Sequence, residues 1–218
     1  MSRAPLVRTT TPFISFEGGE GLGKSLQASK LAENLRARGR DVLLTREPGG
    51  TPAGERIRDV LLHAPDVALS AEAQALLYSA ARAQLVRDVI RPALAAGRVV
   101  IADRFFDSLL AYQGYGHGAD LEGLRAMTRF AVGDLVPQRT FLIDAPVDVV
   151  LARLAARQGQ WDRFHDVDRA FYERVREGYL RLAAAEPRRF VIVNGDRSED
   201  QIAADIRRQM EQLLGAPV

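Results

Sequence analysis

Apolar and polar positions along the chain fall into two alternating rhythms. Short, nearly continuous apolar runs occur at FISFE (13–17), DVLLT (41–45), RVVIAD (98–103), TFLIDA (140–145) and FVIVNG (190–195). Runs of this length predict strands buried on both faces, as in a parallel sheet. Between and beyond them, helical spacing covers 25–38, 54–63, 70–96, 120–134, 147–158, 168–186 and 198–214. This alternation predicts an α/β fold, a doubly wound parallel sheet with helices on both faces. Ser70, with Ala73 three residues on, opens the third helix; Gly97 closes it, and Pro92 predicts a kink near its end. Ser198 reads as the cap of the last helix and Gly215 as its stop. No repeat, low-complexity tract or linker interrupts the pattern. One domain over 13–215 is expected, after a loose tail at 1–12. The polar stretch QGQWDRFHDVD (158–168) between two helices predicts a mobile lid, within a segment of about 153–168.

Composition narrows the choices. The 218 residues are 47% hydrophobic, which suits a sizeable core. The net charge of +2 does not demand a broad nucleic-acid footprint. There is no cysteine, so disulfides and thiolate metal sites are excluded. No apolar run approaches the roughly 18 residues of a membrane span. The start, MSRAPLVRTTTP, lacks the apolar stretch of a secretory signal. A cytoplasmic protein is therefore expected, with neither membrane nor nucleic acid as partner. Of 30 basic residues 28 are arginine, so a single arginine says little and a lysine says more.

One of the two lysines, Lys24, lies in FISFEGGEGLGKSLQ. Gly18, Gly23, Lys24 and Ser25 fit G-x-x-x-x-G-K-[ST], after a predicted strand and at the start of a predicted helix. Glycines let backbone N–H groups turn toward a phosphate, and the helix N-terminus adds partial positive charge. Lys24 suits the β/γ-phosphates and Ser25 suits Mg²⁺. Gly19, Glu20, Gly21 and Leu22 fill the variable positions. The pattern predicts a P-loop NTPase fold that binds a nucleoside triphosphate. Glu20 is the odd member. At about 4 Å, like charges at an effective dielectric near 20 repel by about 4 kcal/mol. Its carboxylate must face away from the phosphate nest, toward a second substrate or into solvent.

Further candidates lie downstream. Asp103 ends the strand RVVIAD, where it can hold Mg²⁺ or its waters, or cap the next helix. Gln74, Tyr78 and Arg82 form an i, i+4, i+8 polar stripe on a mostly apolar helix. Tyr78 and Arg82 can sandwich and read a nucleobase; alternatively Arg82 pairs with an acid of a neighbouring helix. In TREPGGTPAGERIR (45–58), Arg46, Glu47 and Arg58 can position an anionic second substrate at a strand's carboxyl end. DSLLAYQGYGHG (107–118) supplies aromatic and amide groups with glycine flexibility. Arg157 and Arg163 on the lid, with Arg153 one turn earlier, suit the charge of a moving phosphoryl group; solvated surface is the alternative for each. His63, His117 and His165 lack ligand spacing. Glu17 reads as structural. A P-loop alone leaves GTPase, motor, translocase and small-molecule kinase open. The lack of an N-K-x-D-like strand argues against the guanine switch, and the lack of a basic, aromatic-interleaved stripe against the translocase.

FEGGEGLGKS, TREPGGTPAGERIR, YSAARAQL, ADRFFDSLLAYQG and RLAARQGQWDRF together resemble the bacterial type of thymidylate kinase, from Phe13 over nearly the whole chain. The resemblance implies a homodimer with a five-stranded parallel sheet. It implies transfer of the ATP γ-phosphoryl group to dTMP, giving dTDP for dTTP synthesis, with Mg²⁺. The loop Gly18–Ser25 would hold ATP and Arg153 would face adenine. Arg46, Glu47, Pro48, Arg58 and Arg104 would surround the dTMP phosphate and sugar, with Glu20 at the 3′-hydroxyl. Tyr78 would stack on thymine, Arg82 would bond its carbonyl edge, and Ser108 and Gln113 would lie along the base. Lys24, Arg104, Arg157 and Arg163 would serve catalysis, and Ser25 and Asp103 the metal. Departures from the family pattern are Tyr78 for Phe, Phe105 for Tyr, Leu109 for Ser, Leu26 for Thr and His165 for an acid.

Overall fold

The computed structural model describes residues 11–64, 66–156 and 168–215. Five parallel strands form one sheet in the order β2-β3-β1-β4-β5. They are β1 (Phe13–Gly18), β2 (Val42–Arg46), β3 (Val99–Asp103), β4 (Arg139–Asp144) and β5 (Phe190–Asn194). Every residue of β1 is buried, as its position at the sheet centre requires. Side chains alternate between the two faces. Ile14, Phe16, Val99 and Ile101 share a core with Ala28, Leu31 and Leu35 of α1 (Lys24–Ala37). Phe13, Val100 and Ala102 face the other way, against Leu85, Val86, Ile90 and Leu94. The chain leaves β1 for β2 on one side, while β4 lies on the other. That reversal opens a crevice at the carboxyl ends of the central strands, where open α/β sheets bind ligands.

Helix starts follow local chemistry. Helix α2 (Pro52–Leu62) begins two residues before the apolar spacing suggests. Thr51 caps it by accepting from Gly54 N–H at 3.0 Å, and Pro52 needs no partner at the first position. Ser70 caps α3 (Ala71–Leu85) and Ser198 caps α9 (Glu199–Leu214), the latter in a reciprocal capping box with Gln201. The remaining helices are α4 (Arg91–Ala95), α5 (Phe106–Leu109), α6 (Leu121–Val132), α7 (Val147–Ala155) and α8 (Arg169–Ala185).

Two segments depart from expectation. The predicted helix 70–96 contains a π turn at Val86–Ile90, where Arg91 N–H bonds Val86 C=O. Pro92 explains it: its ring would press on the carbonyl four residues back, and widening the turn before it relieves the clash. The second departure is 107–118, which is helical rather than a flexible glycine segment. Helix α5 runs into a π turn at Leu110–Gly116. A Cβ at Gly116 would sit 2.7 Å from Phe171 and 2.8 Å from Val175. That glycine permits close packing against α8 and confers no looseness.

A buried ionic clamp fixes α5 to the far side of the sheet. Arg189, just before β5, is 6% exposed. Its Nη1 and Nη2 donate to the two oxygens of fully buried Asp107 at 2.5 and 2.8 Å. Nε donates to Glu186 at 2.8 Å, and Nη1 also reaches Thr140 Oγ1 at 2.9 Å. The guanidinium lies 5.2 Å from the Phe106 ring and 4.4 Å from that of Phe190. Arg189→Ala would leave Asp107 buried without its counter-charge. We expect a loss of about 3–5 kcal/mol in urea unfolding. A loss below about 1 kcal/mol would make this no more than a surface pair.

Candidate active site

The phosphate loop is built by steric necessity. Gly18 ends β1 at φ 136°, and a Cβ there would lie 2.2 Å from the Ile143 carbonyl oxygen. Gly23 caps α1 in the left-handed region, and no side chain caps that helix. Its first-turn N–H groups are thus left for a ligand. Lys24 is 6% exposed and its Nζ folds back to the Gly19 carbonyl at 2.6 Å. Burial, and then the like charge of Arg104, push Lys24 down to about 8.

Ser25 Oγ donates to Asp103 Oδ2 at 2.5 Å, while Asp103 Oδ1 is buried without a partner. A hydroxyl and a carboxylate with a spare oxygen are the hard donors that Mg²⁺ takes. Among the described residues no cluster of three ligating side chains exists. Such an ion would complete its shell with phosphate oxygens and water.

Arg104 is the hub. It is the one described non-glycine residue with positive φ, 69°. Its N–H bonds Phe16 C=O at 2.9 Å, and the next N–H, of Phe105, bonds Glu17 Oε1 at 2.8 Å. The guanidinium pairs closely with Glu20, donates to Ser108 Oγ at 3.0 Å and Tyr112 Oη at 3.3 Å, and lies 5.0 Å from the Tyr112 ring. Burial opposes its charge, but Glu20, Tyr112, Tyr179 and Glu17 hold its pKa well above the usual value. Both side chains of the Glu20–Arg104 pair are 15% exposed, so Glu20 is not a solvated loop acid.

One cavity of about 450 Å³ joins these groups to the rest. Glu20, Gly21, Gly23, Lys24, Ser25 and Asp103 line it at the loop end. Arg46, Glu47, Pro48, Arg58, Tyr78, Arg82, Arg104, Ser108 and Gln113 also line it. Arg46 is held by Glu55 at 2.8 Å and Arg58 by the Pro48 carbonyl at 3.0 Å; the Glu47–Pro48 bond is cis. Burial, and then Arg46, lower the pKa of Arg58. Arg82, 1% exposed, donates Nε to Glu47 Oε2 at 2.7 Å, yet its Nη1 is buried without a partner. Of the two sequence readings of Arg82, the pairing with an acid is met, though by Glu47 on a loop and not by a helix, while Arg82 also lines the cavity.

Other predicted residues lie apart. Gly18, Gly19 and Leu22 line a separate cavity of about 20 Å³ behind the loop. Arg153 does not line the large cavity; its Nη2 donates to Gly195 C=O at 3.0 Å. Arg157, Arg163 and His165 lie outside the described residues, as does most of the lid.

Sequence reasoning undervalued Glu17. Fully buried, it accepts from Phe105 N–H, from Ser108 Oγ at 2.5 Å and from Tyr179 Oη at 3.0 Å. Tyr179 was invisible as a site residue because it lies 162 positions away, amid the helical spacing of α8. Burial, and then the nearby Asp107 charge, raise Glu17 to about 7. Between the free-carboxyl value of about 4.3 and this raised value, the unfolded chain releases a proton that the folded chain keeps. Stability therefore falls as pH rises across that window. Glu17→Gln stays neutral throughout, so its Tm relative to wild type should climb between about pH 5 and about pH 8. A difference that does not change with pH would show that Glu17 ionises alike in both states.

Comparison with known proteins agrees with this geometry. The thymidylate kinase family model matches residues 16–206. A thymidylate kinase of Pseudomonas fluorescens is 50% identical over 202 residues, 93% of this chain and 96% of its own. One of Deinococcus radiodurans is 50% identical over 194 residues, 89% of this chain and 93% of its own. The crystal structure of thymidylate kinase from Ehrlichia chaffeensis has a TM-score of 0.77 and 32% identity, covering 92% of this chain and 98% of that one. Relatives of this identity run nearly end to end with the chain and a solved one shares its fold, and so the chain belongs to the thymidylate kinase family.

Proposed function

We propose that this chain transfers the γ-phosphoryl group of ATP to the 5′-phosphate of dTMP, giving dTDP on the way to dTTP. The observation that carries the reading is the single cavity that begins at Lys24 and Ser25 and reaches Arg82 and Gln113. Two phosphate-bearing substrates entering from its two ends meet at Lys24 and Arg104. The loop Gly18–Ser25 cradles the donor. Arg46, Arg58 and Arg104 hold the phosphate of dTMP, Tyr78 stacks on thymine, and Glu20 takes the 3′-hydroxyl. Ser108, Gln113, Glu47 and Pro48 complete the nucleotide site.

The chemistry is one of position and charge. In-line transfer spreads negative charge over the moving group, and fixed cations stabilise that charge most where water is excluded. Lys24 and Arg104 already sit in desolvated positions; Arg104 is held by Glu20, and Lys24 has only its bond to the Gly19 carbonyl to exchange. Arg157 and Arg163 add charge from the lid, and Arg153 faces adenine. Ser25 and Asp103 would hold Mg²⁺, which when bound neutralises the β- and γ-phosphates. One catalytic domain, 13–215, does this work. We place it in the cytoplasm, where free nucleotides are found; among the described residues no helix is long and apolar enough to cross a membrane.

The test is transfer from ATP to dTMP, dUMP, UMP and CMP in a coupled assay. We expect dTMP to be preferred and Lys24→Ala to lose several orders of magnitude in kcat while remaining folded. Hydrolysis indifferent to every nucleotide acceptor, or near-normal kcat in Lys24→Ala, would refute the reading.

The proposal includes a homodimer. Phe130 on α6 is 93% exposed and Leu76 on α3 is 59% exposed, large apolar surfaces for a second copy to cover. Phe130→Asp should halve the mass seen by light scattering. An unchanged mass, or a monomeric wild type, would remove the dimer from the proposal.

A further inference from the structure

One backbone carbonyl sets the sense of two side-chain amides beside the cavity. Leu69 C=O stands immediately before the Ser70 cap of α3, and a carbonyl can only accept. Gln74 Nε2 donates to it at 3.2 Å. The amide of Gln74 is thereby turned so that Oε1 points the other way, and that oxygen accepts from Gln113 Nε2 at 3.1 Å. Gln113 in turn has its own Oε1 directed away from Gln74. Gln74 is 8% exposed and Gln113 is 3% exposed, and Gln113 lines the cavity. Flipping either amide alone would set donor against donor or oxygen against oxygen in a site with little water to relieve it. The chain of bonds thus has one sense, dictated from its backbone end.

The cavity then offers a matched pair of groups. Both Arg82 and Gln113 line it; Arg82 Nη1 is a buried donor without a partner, and with its Nε2 committed to Gln74 the amide of Gln113 has its oxygen left as the group it can offer a ligand. A pyrimidine with a C4 carbonyl and an N3–H presents the complementary pair. A pyrimidine with a C4 amino group and a bare N3 presents the reverse, donor to donor and lone pair to lone pair. Sites built on such pairs discriminate strongly, because the wrong base leaves buried polar groups unmet.

We infer that Gln74 is a specificity-positioning residue: by orienting Gln113 it selects keto-pyrimidine monophosphates over amino-pyrimidine ones, without touching either. The inference rests on the proposed function and assigns its base preference to a residue outside the cavity lining. Tyr78 and Arg82, on the same stripe of α3, touch the base; Gln74 acts through Gln113.

The experiment compares kcat/KM for dTMP and for dCMP in the full chain. Gln74→Met keeps length and bulk but removes both ends of the relay. Its dTMP-to-dCMP ratio should fall by about tenfold or more, with a raised KM for dTMP and an unchanged KM for ATP. Gln74→Glu still offers an oxygen to Gln113 Nε2, so its ratio should stay near the wild-type value. Gln74→Leu serves in the same comparison if the Met variant does not fold. A wild-type ratio in Gln74→Met overturns the inference. So does an equal loss of ratio in the Met and Glu variants, which would make Gln74 a packing residue. Wild-type enzyme that phosphorylates some other nucleotide but not dTMP would overturn the proposed function, and this inference with it. Transfer to dTMP with an unmoved ratio would overturn the inference alone.

Discussion

A single carboxyl group buried at the end of β1 ties the site together. Glu17 accepts hydrogen bonds from the backbone after Arg104, from Ser108 on α5 and from Tyr179 on α8. Those partners come from two separate parts of the chain, the start of α5 and the middle of α8. Arg104 needs such bracing, because a non-glycine residue in the left-handed region costs about 1–3 kcal/mol. Bonds to Phe16 on one side and Glu17 on the other override that cost. The hub guanidinium is therefore aimed by the central strand, and its own backbone preference does not decide where it points.

Acids form a support layer beneath the cations that face the cavity. Glu20 backs Arg104, Glu47 backs Arg82 and Glu55 backs Arg46. Asp107 and Arg189 repeat the motif below α5. Arg46–Glu55 is exposed and the others are largely buried; neither kind is a strong source of net stability, because solvent screens the first and desolvation offsets most of the attraction in the rest. Their value here is orientation: each cation is held before any ligand arrives, and pre-set dipoles and charges are what stabilise a transferring phosphoryl group.

The sheet and the phosphate loop were legible because their signals are local. Five apolar runs gave five strands, and G-x-x-x-x-G-K-S fell between a strand and a helix. The caps Ser70 and Ser198 were equally readable, since a cap and its target lie three residues apart. What escaped depends on distance along the chain. The segment 107–118 read as flexible because glycine usually signals a bend, whereas Gly116 is small to admit Phe171. Glu17 read as structural because nothing near it in sequence shows that Tyr179 and Ser108 converge on it. Arg82 has two readings in the sequence because Glu47, in the loop after β2, reads there as a ligand group, and only the fold brings it to 2.7 Å from Arg82 Nε.

The resting position of Lys24 also links occupancy of the loop to protons. Its amine is held by the Gly19 carbonyl and its pKa lies at about 8. In the proposed function an incoming polyphosphate would exchange that one bond for contacts with several oxygens, so a lone phosphate would gain little from the swap and a triphosphate more. The negative charge it brings also raises the amine back toward its ordinary value. On the proposed reading, filling the loop near and above a pH of about 8 would draw a proton from the buffer, and nucleotide affinity would decline as the medium becomes more alkaline. The empty loop behaves as a weak base that its ligand makes stronger.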